Sequence, residues 1–121
     1  MLPKKIITPK VPPIKIQGIK TKLVPFIAES IKWDGKGTYF EPFMGSGVVG
    51  FNLEPQKAIF SDTNPYIIQF YKDIQSKKIT AQIVRTFLEN EATKLSSTPA
   101  DKTSYYYEVR DRFNKEHSSL D

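Results

Sequence analysis

Gly45 and Gly47 stand between a strand-like run and a helix-like run, and this punctuation constrains the fold more tightly than any other feature of the chain. Thr38-Tyr39-Phe40-Glu41 has the aromatic and β-branched character of a short strand, which Pro42 then breaks. After the loop Phe43-Met44-Gly45-Ser46-Gly47, the run Val48 to Leu53 opens a short helix packed back on that strand. Lys57 to Asp62 reads as a second strand. Strand, glycine loop, helix and strand in this order begin a parallel, doubly wound α/β sheet.

The glycines suit two roles. They tolerate positive φ in a tight turn, and they let a ligand approach the backbone with no Cβ in the way. Amides at the start of the following helix offer donors to an anionic group. A glycine pair alone does not separate packing from binding, but its acidic neighbours add to it. Glu41 closes the first strand, and Asp62 closes the second, 15 residues after Gly47. In a doubly wound sheet the carboxyl ends of adjacent strands face one crevice, which brings Asp62 beside the loop. An aspartate there can accept both hydroxyls of a ribose, and a glutamate can pair with an α-amino group. The plainer alternatives are a surface charge at Glu41 and a helix cap at Asp62.

Elsewhere the pattern is mostly helical. Residues 1–13 carry Pro3, Pro9, Pro12 and Pro13 and form an extended arm. A helix is expected from Thr21, as its cap, to Lys32, with Leu23, Phe26, Ile27 and Ile31 on one face and Gly35 and Gly37 ending it. Asn64 can cap a helix with Pro65 at its first position and Ile67, Ile68 and Tyr71 toward the core. Further helices are expected over Thr80–Leu95 and Tyr105–Lys115, separated by a loop from Ser96 to Asp101. The 121 residues suffice for one compact unit.

The formal charge of +5 is unevenly spread. Residues 1–36 hold eight lysines against Glu29 and Asp34, a net of +6, whereas residues 37–121 sum to −1. The arm is either a solvated tail or a surface that neutralises backbone phosphates. With no cysteine and one histidine, His117, disulfides and Cys/His metal clusters are excluded, and no metal is expected. No apolar run approaches the roughly 20 residues that span a bilayer, and no secretory h-region follows the first lysines. A cytoplasmic chain without a membrane partner is expected.

Four ordered segments together resemble the Dam-type, class D12 DNA adenine-N6 methyltransferases. Pro13 to Leu23 resembles the family's K-W-x-G-G-K element. Glu41 to Gly47 matches E-P-F-x-G-[ST]-G, Ser61-Asp62-Thr63-Asn64 matches [AS]-D-x-N, and Tyr105 to Asn114 resembles Y-Y-x-x-R-x-x-F-N. The resemblance implies a Rossmann-like S-adenosylmethionine-dependent methyltransferase fold, incomplete here, with double-stranded DNA as partner. It implies that Ile16 and Lys20 lie against S-adenosylmethionine. Glu41, Phe43 and Gly45 would surround its methionine moiety, with Gly47 in the same loop and Asp62 on the ribose. Lys15 matches a lysine that reaches a base edge, where guanine O6 and N7 are the natural acceptors. The chain departs from the family at Ile16, usually aromatic, and at Ile19, usually glycine. Ile16 therefore offers apolar contact in place of ring stacking, and Ile19 stiffens its turn.

The resemblance divides the chain into a basic arm with the first cofactor motif (1–20), a partial cofactor-binding domain (21–95) and the start of a target-recognition region (96–121). The family's catalytic [DNS]-P-P-[YFW] motif holds the adenine amino group and stacks on the flipped base. None of the 121 residues forms it. Pro12-Pro13 lacks the polar and aromatic neighbours, and Asn64-Pro65-Tyr66 has one proline and reads as a helix cap. The expectation is an N-terminal portion without catalytic residues, inactive alone. A C-terminal half or second chain would supply the motif; the alternatives are an inactive remnant or one subunit of a split enzyme that binds cofactor or DNA. A methyltransferase for RNA or a small molecule is a further alternative, against which the N-terminal lysine-glycine element speaks.

Overall fold

The computed structural model describes residues 5–97 and 102–117. The chain divides into two units, Met1–Ile67 and Ile68–Asp121. The first holds the arm, a 3-10 turn Thr21–Leu23, helix α1 (Val24–Ser30), strand β1 (Tyr39–Glu41), helix α2 (Val48–Leu53) and strand β2 (Ala58–Phe60). Helix α3 (Pro65–Gln75) begins there and leads to α4 (Ala81–Ser97) and α5 (Lys102–Glu116).

β1 and β2 pair in parallel, Tyr39 opposite Ala58, Phe40 opposite Ile59 and Glu41 opposite Phe60. The strand–loop–helix–strand order expected from the glycine punctuation is therefore present as a two-stranded βαβ unit. Alternation sends Tyr39, Glu41 and Phe60 to one face and Phe40 and Ile59 to the other. The first face packs on α2, where the Phe51 and Phe60 rings lie 5.2 Å apart. The second face is open, with Phe40 65% and Ile59 54% exposed. Parallel strands are ordinarily covered on both faces.

The core of this unit gathers Ile6, Val24, Ala28, Val48 and Leu53, with Ile31, Trp33, Tyr39 and Val49 against it. Burying each of the larger aliphatic groups contributes about 1.5–3 kcal/mol. The buried stripe of α1 runs through Val24 and Ala28, not through the expected Leu23 and Phe26, which remain exposed. At 3.6 residues per turn Phe26 lies about 200° from Val24, so both cannot face inward. Side-chain size pointed to phenylalanine, but the angle selected alanine. Thr21 makes no capping bond, and α1 stops at Ser30 because Ile31 turns extended (φ −72°, ψ 116°), before either glycine. Pro25 sits in the first turn of α1, where its missing amide donor costs nothing.

The arm is not a free tail. Ile6 is a core residue. Lys10 exchanges two backbone hydrogen bonds with the Asn52 side chain and adds an exposed ion pair to Glu54 at 3.0 Å.

At the start of α3 the Asn64 side chain accepts from the Tyr66 amide at 3.0 Å, the cap that the sequence indicates. In the second unit, Asp73 is buried and accepts from Gln69 Nε2 at 2.7 Å. Thr80 Oγ1 caps α4 through the Ile83 amide. α4 continues through Ser96 to Ser97, both expected in a loop; residues 98–101 of that loop lie outside the described residues. Glu91 joins α4 to α5, accepting from Tyr105 Oη and pairing with Arg112 at 3.5 Å and with Lys94 at 3.0 Å. Tyr106 and Tyr107 stay at the surface, and His117 is exposed with its ring edge-on to Phe113. Among the described residues no helix is long and apolar enough to cross a membrane, and no group of His, Cys, Asp or Glu side chains could hold a metal ion.

Candidate functional site

The site is built where β1 and β2 end. The Met44 amide donates to Ser61 O at 2.9 Å, Ser61 N donates to Glu41 O at 3.0 Å, and Gly47 N closes the turn on Met44 O at 2.8 Å. Gly45 (φ +52°) and Gly47 (φ +77°) both adopt the left-handed conformation that glycine allows. They differ in their surroundings. A Cβ on Gly45 would meet nothing within 4 Å, whereas one on Gly47 would collide with the Phe51 ring. Gly47 is therefore needed for packing, and Gly45 leaves open space above the loop.

Asp62 is tied directly to that loop. Its Oδ2 accepts from the Gly45 amide at 2.9 Å and its Oδ1 from the Asn64 amide at 2.9 Å. The bonds from Asn64 and then Gly45 hold its carboxyl below the ordinary 3.8. The stability this contributes is present above the unfolded value and is lost as pH falls below about 3.8. A carboxylate has about four acceptor sites, so Asp62 retains capacity for further donors. Asp62 does not cap α3, because Asn64 does.

Glu41 is half-buried. Its Oε2 accepts from the Gly50 amide at 3.1 Å and from Tyr39 Oη at 3.2 Å. Burial raises its carboxyl above the ordinary 4.5, against the opposing pull of those two bonds. Tyr39, desolvated and beside the Glu41 charge, is pushed up to about 12. Both bonds use Oε2, and Oε1 takes none from the described residues. Glu41 thus satisfies one amide of α2 while keeping an oxygen for a cation. Of the amides at the start of α2 that the sequence suggested for an anion, those of Gly47 and Gly50 are already engaged, by Met44 O and by Glu41, and the loop amides of Met44 and Gly45 are taken by Ser61 O and Asp62.

Phe43 is 77% exposed at the loop crest. In the arm, Ile16 is half-buried and Lys15 is exposed. Lys20 is exposed and its Nζ donates to Gly18 O at 2.8 Å across a turn in which Gly18 has φ +80°. No hydrogen bond or ion pair among the described residues joins Lys15, Ile16 or Lys20 to Glu41, Gly45 or Asp62. Glu41, the two glycines and Asp62 therefore form one connected group, and the arm residues a second.

Sequence reasoning passed over Tyr39, Gly50 and Asn52. Gly50 carried a signal, since a glycine inside a helix marks close approach. A Cβ there would lie 2.6 Å from Glu41 Oε2 and nearer still to the Phe60 ring. Nothing in the local pattern marks Asn52, whose partner is 42 residues away.

Residues 17–121 match the family of D12 class N6 adenine-specific DNA methyltransferases. The chain belongs to this family. Among curated proteins it is similar to the type II methyltransferase M.MjaIII of Methanocaldococcus jannaschii, 31% identical over 118 residues. That alignment covers 91% of this chain and 40% of the relative. It is also similar to M1.LlaDCHI of Lactococcus lactis subsp. cremoris, 36% identical over 61 residues, covering 50% of this chain and 21% of that methyltransferase. The chain thus spans about two fifths of the first relative and one fifth of the second. No solved structure matches it.

Proposed function

We propose that this chain is the S-adenosylmethionine-binding, N-terminal part of a site-specific DNA adenine-N6 methyltransferase. One observation carries the reading. Glu41 closes β1, and Asp62, which the sequence placed at the end of the second strand, lies two residues past the end of β2 and is bonded to the Gly45 amide of the glycine loop between them. The donor set fits the cofactor. Glu41 Oε1 accepts the α-ammonium, Asp62 takes the ribose hydroxyls, and the open space above Gly45 admits the ligand to the backbone. Phe43 and Ile16 supply apolar contact, Gly47 holds the turn, and Lys20 lies toward the ligand from the arm.

S-adenosylmethionine supplies an electrophilic sulfonium methyl group. The chain's own residues bind and orient it, which lowers the entropic barrier to transfer. Residues 1–20 form the basic arm and first cofactor motif, 21–95 the partial cofactor domain and 96–121 the start of target recognition. Lys15 meets a base edge of double-stranded DNA, and the other arm lysines meet phosphates. The complete sheet is Rossmann-like. Its remaining elements, which cover Phe40 and Ile59, come with the catalytic [DNS]-P-P-[YFW] motif from a further segment or a second chain.

A second reading is a split-enzyme subunit or an inactive remnant that binds cofactor or DNA without turnover. Both readings accord with the absence of the catalytic motif from the 121 residues. Equilibrium dialysis with radiolabelled S-adenosylmethionine tests binding, and the same label tests transfer to duplex DNA. Retention of label that S-adenosylhomocysteine displaces, with no label in DNA, is expected. Absence of displaceable label would remove the cofactor reading, and label in DNA would remove the claim that catalysis resides elsewhere.

A further inference from the structure

We propose that Asn52 is a positioning residue that docks the N-terminal arm onto the helix leaving the glycine loop, so that the two groups of cofactor residues act on one ligand. The inference rests on the cofactor-binding reading and extends it to a residue outside every recognised motif. Asn52 is 5% exposed. Its Oδ1 accepts from the Lys10 amide at 2.7 Å, and its Nδ2 donates to Lys10 O at 2.9 Å and to Val48 O at 2.7 Å.

The bond to Val48 O alone would serve the helix, as a local side-chain-to-backbone link. The pair with Lys10 does something else. One carboxamide takes both backbone groups of one residue, as a neighbouring strand would, and so fixes the arm's path whatever side chain stands at position 10. Val48 follows Gly47 directly, so the same side chain touches the arm and the helix that opens from the loop. Ile6, buried four residues earlier, anchors the arm on the other side of this link. The Lys10–Glu54 ion pair is exposed at both ends and adds little. Lys15, Ile16 and Lys20 follow the clamp. Each residue held in place before binding is one whose ordering entropy does not oppose the ligand.

The experiment uses the 121-residue chain and calorimetric titration with S-adenosylhomocysteine, alongside amide hydrogen exchange. Lys10→Pro removes the arm's donor without touching α2, and Lys10→Ala removes only the ion pair. Lys10→Ala should bind within about twofold of the parent. Lys10→Pro should weaken binding beyond Lys10→Ala, by up to about fivefold, as one lost net hydrogen bond multiplies the undocked-to-docked ratio by about five, and Asn52→Ala, which loses both bonds to Lys10, should weaken it more. Exchange at the Tyr39 and Phe51 amides, which bond to Lys57 O and Gly47 O, should stay slow in Lys10→Pro. Equal affinities for Lys10→Pro and Lys10→Ala would overturn the proposal, even if Asn52→Ala proves too unstable to titrate. Asp62→Ala separates the levels. If it weakens binding and Lys10→Pro does not, only this inference fails; if the parent chain binds nothing, the cofactor reading fails and this inference with it.

Discussion

Gly50→Ala separates helix propensity from packing, because the two give opposite signs. Gly50 lies within α2, and alanine is favoured over glycine in a helix by about 1 kcal/mol. Propensity alone therefore predicts a more stable protein. The added Cβ would fall 2.6 Å from Glu41 Oε2 and also 2.6 Å from Phe60 Cζ, inside any real contact distance. Phe60 cannot withdraw freely, since its ring packs on Phe51 at 5.2 Å and on Tyr39 at 6.2 Å. If Glu41 withdraws instead, it breaks its 3.1 Å bond to the Gly50 amide. Overpacking costs about 1–3 kcal/mol and the lost bond about 1 more. Set against the propensity gain, the net is a destabilisation of about 1–3 kcal/mol. Urea unfolding followed by fluorescence of Trp33, the single tryptophan, which stacks on Tyr39 at 6.2 Å, reads this directly. A midpoint lower by about 1 M is expected, the destabilisation divided by a urea slope of about 1–3 kcal/mol/M. An unchanged or higher midpoint would refute the packing argument. Adding Phe60→Leu should recover part of the loss, since contacting residues couple.

Gly45→Ala and Gly47→Ala should diverge in the same assay. Gly47→Ala combines positive φ with a collision against Phe51 and should cost several kcal/mol (about 2–4), whereas Gly45→Ala carries only the conformational strain of about 1–2 kcal/mol. Calorimetry should find a larger affinity loss per unit of stability for Gly45→Ala, because its Cβ enters the open ligand space. Affinity for S-adenosylmethionine should fall as the pH drops toward the raised Glu41 value. Burial raises Glu41 above 4.5 in the free protein and a paired ammonium pulls it back down, so binding releases a proton where the free carboxyl is partly protonated. Titrations in buffers of different ionisation enthalpy should show this release, and a pH-independent affinity with no proton release would exclude Glu41 as the partner. Asp62→Ala should weaken cofactor binding in a folded protein; unchanged calorimetric affinity would take Asp62 off the ribose.

The βαβ order, the limits of α2 and the Asn64 cap were legible in the sequence because each is a local matter. Glycines, prolines and a capping side chain act within a few residues of where they stand. The stripe of α1 was legible in part: Ile31 packs against the core as expected, whereas Phe26, more hydrophobic than the buried Ala28, sits at the wrong angle. The arm's docking was beyond local reasoning, as Ile6 and Lys10 meet α1 and α2 only through tertiary packing. At the site, Glu41, the two glycines and Asp62 could be read as an ordered set. Their bonding could not. That Asp62 holds the Gly45 amide, and that Glu41 divides its oxygens between α2 and open space, follow from strand register and from Gly50 and Tyr39 lying on the same face.

The central claim is that this chain binds S-adenosylmethionine through a carboxylate with one oxygen committed to the fold and one available to the ligand. Calorimetric titration of the parent chain and Glu41→Gln tests it most directly. The amide keeps an acceptor for the Gly50 and Tyr39 donors and loses the charge that pairs with the ammonium. The account predicts saturable binding by the parent, an affinity lower by about ten- to a hundredfold in Glu41→Gln, and similar unfolding midpoints. Equal affinity in the two proteins, or no binding by either, would contradict it.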